Sequence, residues 1–318
     1  MKSLLVTGAT GFLGRYVTKE LISQGHQIYA LVRDPQKCPE GCTPLQGDVT
    51  LGNLGLAEVP KLDELWHLAG TTDLSKRARK ENLAVNTGGT RNVVDFTLLH
   101  GVPRLVHVST AYADTKRNPY EESKFWAEQY VIEISNLPFR APVSVTIFKP
   151  SILVGEYETG ALPDGIKPGA FYEFVRRMLR IHARLERIRK GAESKLHLHP
   201  WEFAFRIPGD PEATLNLLPV DIAAKEMARI GEAGVFYITN PTPPKLKDIA
   251  EWVGETVKLK IKIESKPVLF PWELAFISVA SDFLPYLRGE DFRSDLDFSV
   301  SVDREYIKRT LAYLLKRG

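Results

Sequence analysis

The stretch Thr7–Gly14, TGATGFLG, stands directly behind a short apolar run and opens into a helical pattern, and no other feature constrains the fold as strongly. Leu4-Leu5-Val6 reads as a short buried strand, and Tyr16–Ser23 belongs to the first helix packed behind it. The three glycines between them have separate tasks. Gly8 lets the chain reverse, Gly11 lets backbone N–H groups approach a pyrophosphate with no Cβ in the way, and Gly14 lets helix and strand pack closely. Phosphates held there meet the positive end of the helix. A glycine turn joining first strand to first helix marks a dinucleotide site, lined by Thr7, Gly8, Thr10, Gly11, Phe12, Leu13, Gly14 and Arg15.

Strand-like runs at Leu4–Val6, Gln27–Val32, Pro44–Gln46, Glu64–Leu68, Leu105–Val108 and Val143–Phe148 alternate with helical patterns at Phe12–Gln24, Glu81–Leu99 and Tyr120–Asn136. That order predicts an α/β fold: a doubly wound parallel sheet, helices on both faces, ligand beyond the C-terminal strand ends. Val235–Ile238 reads as a late strand returning to the sheet, which splits a smaller C-terminal substrate lobe. The dinucleotide-binding domain then comprises residues 1–155 with about 217–240, and the lobe comprises 156–216 with 241–318.

A chain of 318 residues suits such a domain plus lobe. The net charge of +3 is small and dispersed, which argues against a nucleic-acid partner. Met1-Lys2 leads straight into the first strand, so no targeting leader is expected. Cys38 and Cys42 are the only cysteines, too few for a disulfide framework and without two further zinc ligands nearby. No metal site is expected, and a reducing, cytoplasmic setting fits. Pro267–Leu287 is apolar but broken by Pro271, Glu273, Asp282 and Pro285, so it reads as a pocket wall or an interfacial helix in peripheral membrane contact, not a membrane span. Asp291–Asp297 reads as an acidic surface stretch.

Tyr120-x-x-x-Lys124 is the chemical centre, because two side chains four apart on a helix share one face. An ammonium beside a phenol stabilises the phenolate, which predicts a Tyr120 pKa drawn from about 10 toward the working range. The end of the second strand selects the nicotinamide cofactor. An acidic side chain there accepts from a free 2′-hydroxyl, whereas Arg33 offers a planar cationic fork suited to a 2′-phosphate. Arg33, with Arg15, favours NADP(H) over NAD(H); the neighbouring Asp34 leaves NAD(H) as the alternative.

Thr7–Gly14, Gly47-Asp48, His67–Gly70, Asn86–Asn92, His107–Tyr112, Tyr120–Lys124, Lys149–Gly155 and Pro219–Asp221 together resemble an extended short-chain dehydrogenase/reductase of the Rossmann superfamily. The words VSTAY, NPYEESKFWAE, NLLPVDIAA and PYLRGEDF are similar to the branch of fatty acyl-CoA reductases and carrier-protein thioester reductases. The resemblance implies catalytic Thr110, Tyr120 and Lys124 supported by Asn86, with Ser109 the fallback for Thr110. It implies cofactor contacts at Asp48, Val49, Leu68, Ala69, Gly70, Pro150 and Ile152 besides the glycine turn, Arg33, Tyr120 and Lys124. Only nine residues separate Thr110 from Tyr120, fewer than usual in this group, which shortens the loop over the substrate.

The implied reaction is hydride addition to an acyl thioester, bound to CoA or a carrier protein, or to the derived aldehyde. Lys76–Lys80 and the arginines of Phe171–Lys190 are candidate phosphate contacts, and Phe270, Trp272, Phe276 and Phe283 candidate pocket walls. The rival reading is ketone or secondary-alcohol oxidoreduction. Sugar-nucleotide epimerisation ranks lower, and dehydration disagrees with Ala111-Tyr112, where such enzymes carry acidic residues. A non-catalytic NADP-sensing regulator is the alternative of another class. A homodimer through Glu81–Leu99 and Tyr120–Asn136 is a further expectation.

Overall fold

The computed structural model describes residues 1–135, 143–166, 169–196 and 204–316. The chain divides into two compact units, the first made of Met1–Leu153, Leu218–Pro241 and Phe292–Phe298. Its elements in chain order are β1 (Ser3–Thr7), α1 (Phe12–Ser23), β2 (Gln27–Val32), β3 (Cys42–Gln46), β4 (Glu64–His67), α2 (Gly89–Leu99), β5 (Arg104–Val108), α3 (Pro119–Ser135), β6 (Ser144–Pro150), α4 (Val220–Arg229) and β7 (Gly234–Ile238). The seven strands form one sheet in the order β7-β6-β5-β4-β1-β2-β3, with every pair parallel. The α/β architecture expected from the alternating pattern is the one found. Strand order reverses between β1 and β4, so the crevice beyond their C-terminal ends is the switch point at which such sheets bind ligands.

Leu4, Leu5 and Val6 of β1 are wholly buried, as the continuous apolar run of a strand covered on both faces requires. Leu65 of β4, Leu105 of β5 and Ile147 of β6 join Val93 and Phe96 of α2 in one core cluster. Phe148 packs against Trp66, ring centroids 6.1 Å apart.

Two segments differ from the sequence reading. The helical pattern at Glu81–Leu99 is not one helix: an α-turn at Arg79–Asn82 widens into a π-helical segment at Leu83–Gly88 before α2 begins. Buried Asn86 lies in that wide turn and bonds outward to Thr71 and Ser123, which a regular helical register does not demand. Phe292–Phe298, assigned to the substrate lobe, belongs instead to the first unit; its aspartates Asp295 and Asp297 are exposed, as the acidic-surface reading expected. Asp295 N–H donates to the Tyr237 carbonyl at 2.9 Å, its carboxylate accepts from Tyr237 N–H at 2.6 Å, and Thr239 Oγ1 donates to the Arg293 carbonyl at 2.7 Å. The segment therefore covers the open edge of β7, supplying partners to backbone groups an edge strand leaves unpaired. Asn136, the expected end of the third helix, lies outside the described residues.

The second unit comprises Val154–Leu217, Thr242–Asp291 and Ser299–Gly318. Its longest helix, Ala170–Leu196, contributes Phe174 to an aromatic cluster with Phe276 and Phe283 at centroid distances of 5.3 and 5.8 Å. Phe276 and Phe283 are thus core residues of this unit. Phe270 and Trp272 stack on each other at 4.5 Å. Among the described residues no helix is long and apolar enough to cross a membrane.

Two histidines sit in the sheet. His67 Nδ1 and Nε2 lie 2.8 Å from Thr7 Oγ1 and 2.9 Å from Thr90 Oγ1, and its ring centroid is 5.3 Å from that of His107. Burial, reinforced by the charge of Lys124, pushes His67 down to about 3 and His107 well below its ordinary value. Both are neutral in the fold and bind a proton on unfolding below about pH 6.5. The unfolded chain therefore holds more protons between about pH 6.5 and 3, and stability falls as pH drops through that window. Urea unfolding from pH 7 to 4 should show a declining midpoint, and His67→Gln should flatten the decline. An equal slope in the variant contradicts this account.

Candidate functional site

The glycine turn is built by close approach. Gly8 adopts φ +75°, and a Cβ there would lie 2.5 Å from Ala69 N, the backbone following β4. A Cβ on Gly14 would lie 2.0 Å from the Gly8 carbonyl oxygen. Gly11 N–H donates to that same oxygen at 2.9 Å, closing the turn. Gly11 is also the N-cap of α1 and provides no side-chain bond, so the helix presents uncapped N–H groups. Thr7 Oγ1 accepts from Ala69 N–H at 3.2 Å, and Leu68 N–H donates to the Thr7 carbonyl at 3.1 Å, joining the ends of β1 and β4. Gly70 packs so closely that a Cβ would meet Asn86 Oδ1 at 2.9 Å. Phe12 touches Tyr16 edge-on within α1, Leu13 follows it, and Arg15 Nε donates to the Thr10 carbonyl at 3.2 Å. A cradle that side chains would fill, under a helix N-terminus, fits a dinucleotide pyrophosphate.

At the end of β2, Arg33 is exposed, whereas Asp34 is engaged in its own loop. The Asp34 carboxylate caps the following 3₁₀ turn, accepting from Gln36 N–H at 3.1 Å, and pairs with Lys37 at 3.4 Å. Asp48 Oδ1 accepts from Thr50 N–H and Thr50 Oγ1, both at 2.8 Å. Asn92, matched in sequence without a specific task, donates to the Val49 carbonyl at 2.8 Å and so fixes the Asp48-Val49 loop onto α2.

Beyond β5, Thr110 and Ser109 part company. Ser109 Oγ donates into the Glu128 carboxylate, while the Thr110 hydroxyl acts on the Tyr120 phenol, pulling its pKa down against burial. Thr110 Oγ1 also lies 3.5 Å from the Pro150 carbonyl, which accepts Ala111 N–H at 2.9 Å. Ile152 opens a short strand just past β6. Asn86 Nδ2 donates to the Thr71 carbonyl at 3.0 Å and to Ser123 Oγ at 2.8 Å, and Oδ1 accepts Thr71 N–H at 2.8 Å. It ties the loop after β4 to α3. The short loop before α3 is held by buried Glu121, which accepts from Thr115 Oγ1 at 2.6 Å and pairs with Arg117 at 3.0 Å. Asn118 Oδ1 then accepts Glu121 N–H at 3.0 Å where α3 begins. Arg79, from the basic run Lys76–Lys80, forms a two-bond pair with Glu122 of α3, one bond at 2.7 Å, so part of that run is structural.

One expectation is corrected. The Tyr120 pKa is not drawn down. Withdrawal of its hydroxyl from water pushes it up to about 12, against the pull of the Thr110 hydroxyl. The Lys124 Nζ donates at 2.6 Å to the Val108 carbonyl. Burial pushes Lys124 itself down to about 8, with Glu128 opposing. Sequence reasoning missed Glu128, Lys149 and Asp114, whose charges form a chain with distances of 3.1 and 2.9 Å. The spacing Tyr120, Lys124, Glu128 was the available signal.

The cradle makes a steric prediction. Gly14→Ala should weaken NAD(P)H binding at least about tenfold in a fluorescence titration, since the added methyl collides with the turn. Unaltered affinity in a folded variant contradicts the geometry.

The chain matches the NAD dependent epimerase/dehydratase family over residues 4–183. It is 27% identical over 197 residues to a putative dihydroflavonol 4-reductase of Synechocystis sp., covering 55% of this chain and 54% of that one. The chain spans about half the length of the curated relatives it matches. A thiolation-reductase di-domain from an archaeal non-ribosomal peptide synthetase superposes with a TM-score of 0.69 at 18% identity, over 99% of this chain and 90% of the other. UDP-glucose 4-epimerase of Thermotoga maritima superposes with a TM-score of 0.67 at 16% identity, over 99% of both chains. At such identities the structural likenesses establish the fold. With more than half of its length matched, this chain belongs to the NAD dependent epimerase/dehydratase family, the extended short-chain dehydrogenase/reductases.

Proposed function

We propose that the protein is an NADP(H)-dependent oxidoreductase that reduces an acyl thioester, or the aldehyde formed from it. The observation that carries the redox reading is buried Lys124, one turn along α3 from Tyr120, bonded to the Val108 carbonyl that ends β5 two residues before Thr110, at the C-terminal end of the sheet where the glycine cradle opens. Arg33, exposed while Asp34 is tied into its capping turn, supports a 2′-phosphorylated cofactor. The words shared with the thioester-reductase branch support the substrate class.

A nicotinamide cofactor held at the Gly8–Gly14 cradle would supply hydride to the carbonyl carbon. Thr110 donates a hydrogen bond to the carbonyl oxygen and orients it toward Tyr120. With its pKa pushed up to about 12, Tyr120 is protonated at neutral pH and stands ready to give its proton to the oxygen as charge develops. Lys124, held by the Val108 carbonyl, places positive charge beside the phenolate that remains. The thiohemiacetal so formed expels thiol and leaves aldehyde; Tyr120 regains a proton from solvent. No cysteine is consumed, in agreement with Cys38 lying in the loop between β2 and β3 and Cys42 opening β3.

Reduction of a ketone is the second reading, favoured by the dihydroflavonol 4-reductase likeness. A homodimer through α2 and α3 is part of the proposal: Trp126 and Ile132 on α3 are 48% and 37% exposed. Cofactor oxidation against acyl-CoAs, aldehydes, ketones and nucleotide sugars tests the substrate class, and activity confined to ketones removes the thioester assignment. Tyr120→Phe should lower kcat by about 10²–10⁴-fold while nucleotide still binds. Arg33→Ala should weaken NADPH binding by about 10- to 100-fold and leave NADH unchanged. Tight nucleotide binding, no carbonyl reduced and no effect of Tyr120→Phe would favour a sensing role instead.

A further inference from the structure

Tyr120, Lys124 and Glu128 follow one another at intervals of four along α3, so they line one face of the helix. Glu128 is buried, and both oxygens are engaged: one accepts from Ser109 Oγ, the other pairs with Lys149 Nζ at 3.1 Å. Lys149 reaches on to Asp114 at 2.9 Å, on the loop that follows Thr110. The chain of contacts thus binds α3 to the end of β5 and to β6, immediately before Pro150. A buried ion pair adds little net stability, because desolvation offsets most of the attraction. Its position one turn beyond Lys124 calls for another explanation.

We propose that Glu128 is a positioning residue: its carboxylate, anchored by Lys149 and Ser109, keeps Lys124 charged and fixes the strand end that carries Thr110. The inference rests on the oxidoreductase reading above. Lys124 is almost fully withdrawn from water, and its Nζ contact at 2.6 Å is with a neutral carbonyl, Val108. A buried ammonium so placed sheds its proton unless an anion stands near. The titratable groups around Lys124 are Tyr120 and Glu128 on α3, His67 on β4 and His107 on β5. The histidines are neutral and the phenol protonated, so Glu128 is the anion acting on Lys124. Burial pushes the Glu128 carboxyl above its ordinary value; Lys149 from β6 and Ser109 pull it back toward the charged form, and Asp114 opposes them. Ser109 adjoins Thr110, so the bond that orients Glu128 also fixes the catalytic hydroxyl's backbone.

Glu128→Gln removes the charge and keeps an acceptor for Ser109; Glu128→Asp keeps the charge but retracts it by one methylene. The direct readout is NMR titration of the Lys124 side chain in lysine-labelled full-length protein, assigned by subtraction with Lys124→Met. In Glu128→Gln the Lys124 midpoint should fall by about one pH unit or more, with Glu128→Asp between it and wild type. The alkaline limb of the kcat profile for carbonyl reduction should move down by the same amount. A Lys124 midpoint unchanged in both variants overturns the proposal even where turnover falls, because a purely structural role leaves the midpoint in place. If the midpoint moves but wild type reduces no carbonyl, the functional reading fails and the electrostatic coupling stands.

Discussion

A cation kept away from water organises this site. Lys124 sits almost wholly buried, bonded to the carbonyl that ends β5 and opposed by a carboxylate one helical turn further on. Placing a charge there costs free energy, and α3 supplies the carboxylate of Glu128 to oppose that cost; Lys149 of β6, itself paired with Asp114 after β5, holds that carboxylate. Two neutral histidines fill the space beneath.

The sheet explains why that constellation meets a nucleotide. Parallel strands end together, and the reversal between β1 and β4 opens a crevice at those ends. Gly8 and Gly14 let β1, α1 and the backbone after β4 approach within distances that any Cβ would forbid. Asn86, turned inward by a π-helical segment, then joins the loop after β4 to α3, so the cradle and the Tyr120 helix share one hydrogen-bonded residue. Backbone geometry places the cofactor's cradle, and side-chain electrostatics equips the chemistry beside it.

Much of this was legible in the sequence. Buried parallel strands are runs of Leu, Val and Ile, and the glycine spacing fixes the first turn, so β1 to β6 fell within two residues of their expected limits. Helix periodicity put Tyr120 and Lys124 on one face of α3, whereas the choice of Thr110 over Ser109 came from the family resemblance. The rest depends on contacts between residues distant in sequence. Glu128 and Lys149 are 21 apart and each looks like an ordinary surface charge until the fold buries both. Phe292–Phe298 looks acidic and solvated, yet it covers an edge of the sheet. The Tyr120 pKa went the other way because spacing reports proximity to Lys124 and not the loss of water around the phenol.

The central claim is that the Tyr120 phenol, shielded from water beyond the end of the sheet, keeps its proton through neutral pH. Ultraviolet titration of Tyr120, isolated as the difference between wild type and a phenylalanine variant, measures this directly. A midpoint near 12 is the predicted result. A midpoint at or below the ordinary phenol value of about 10 would contradict it.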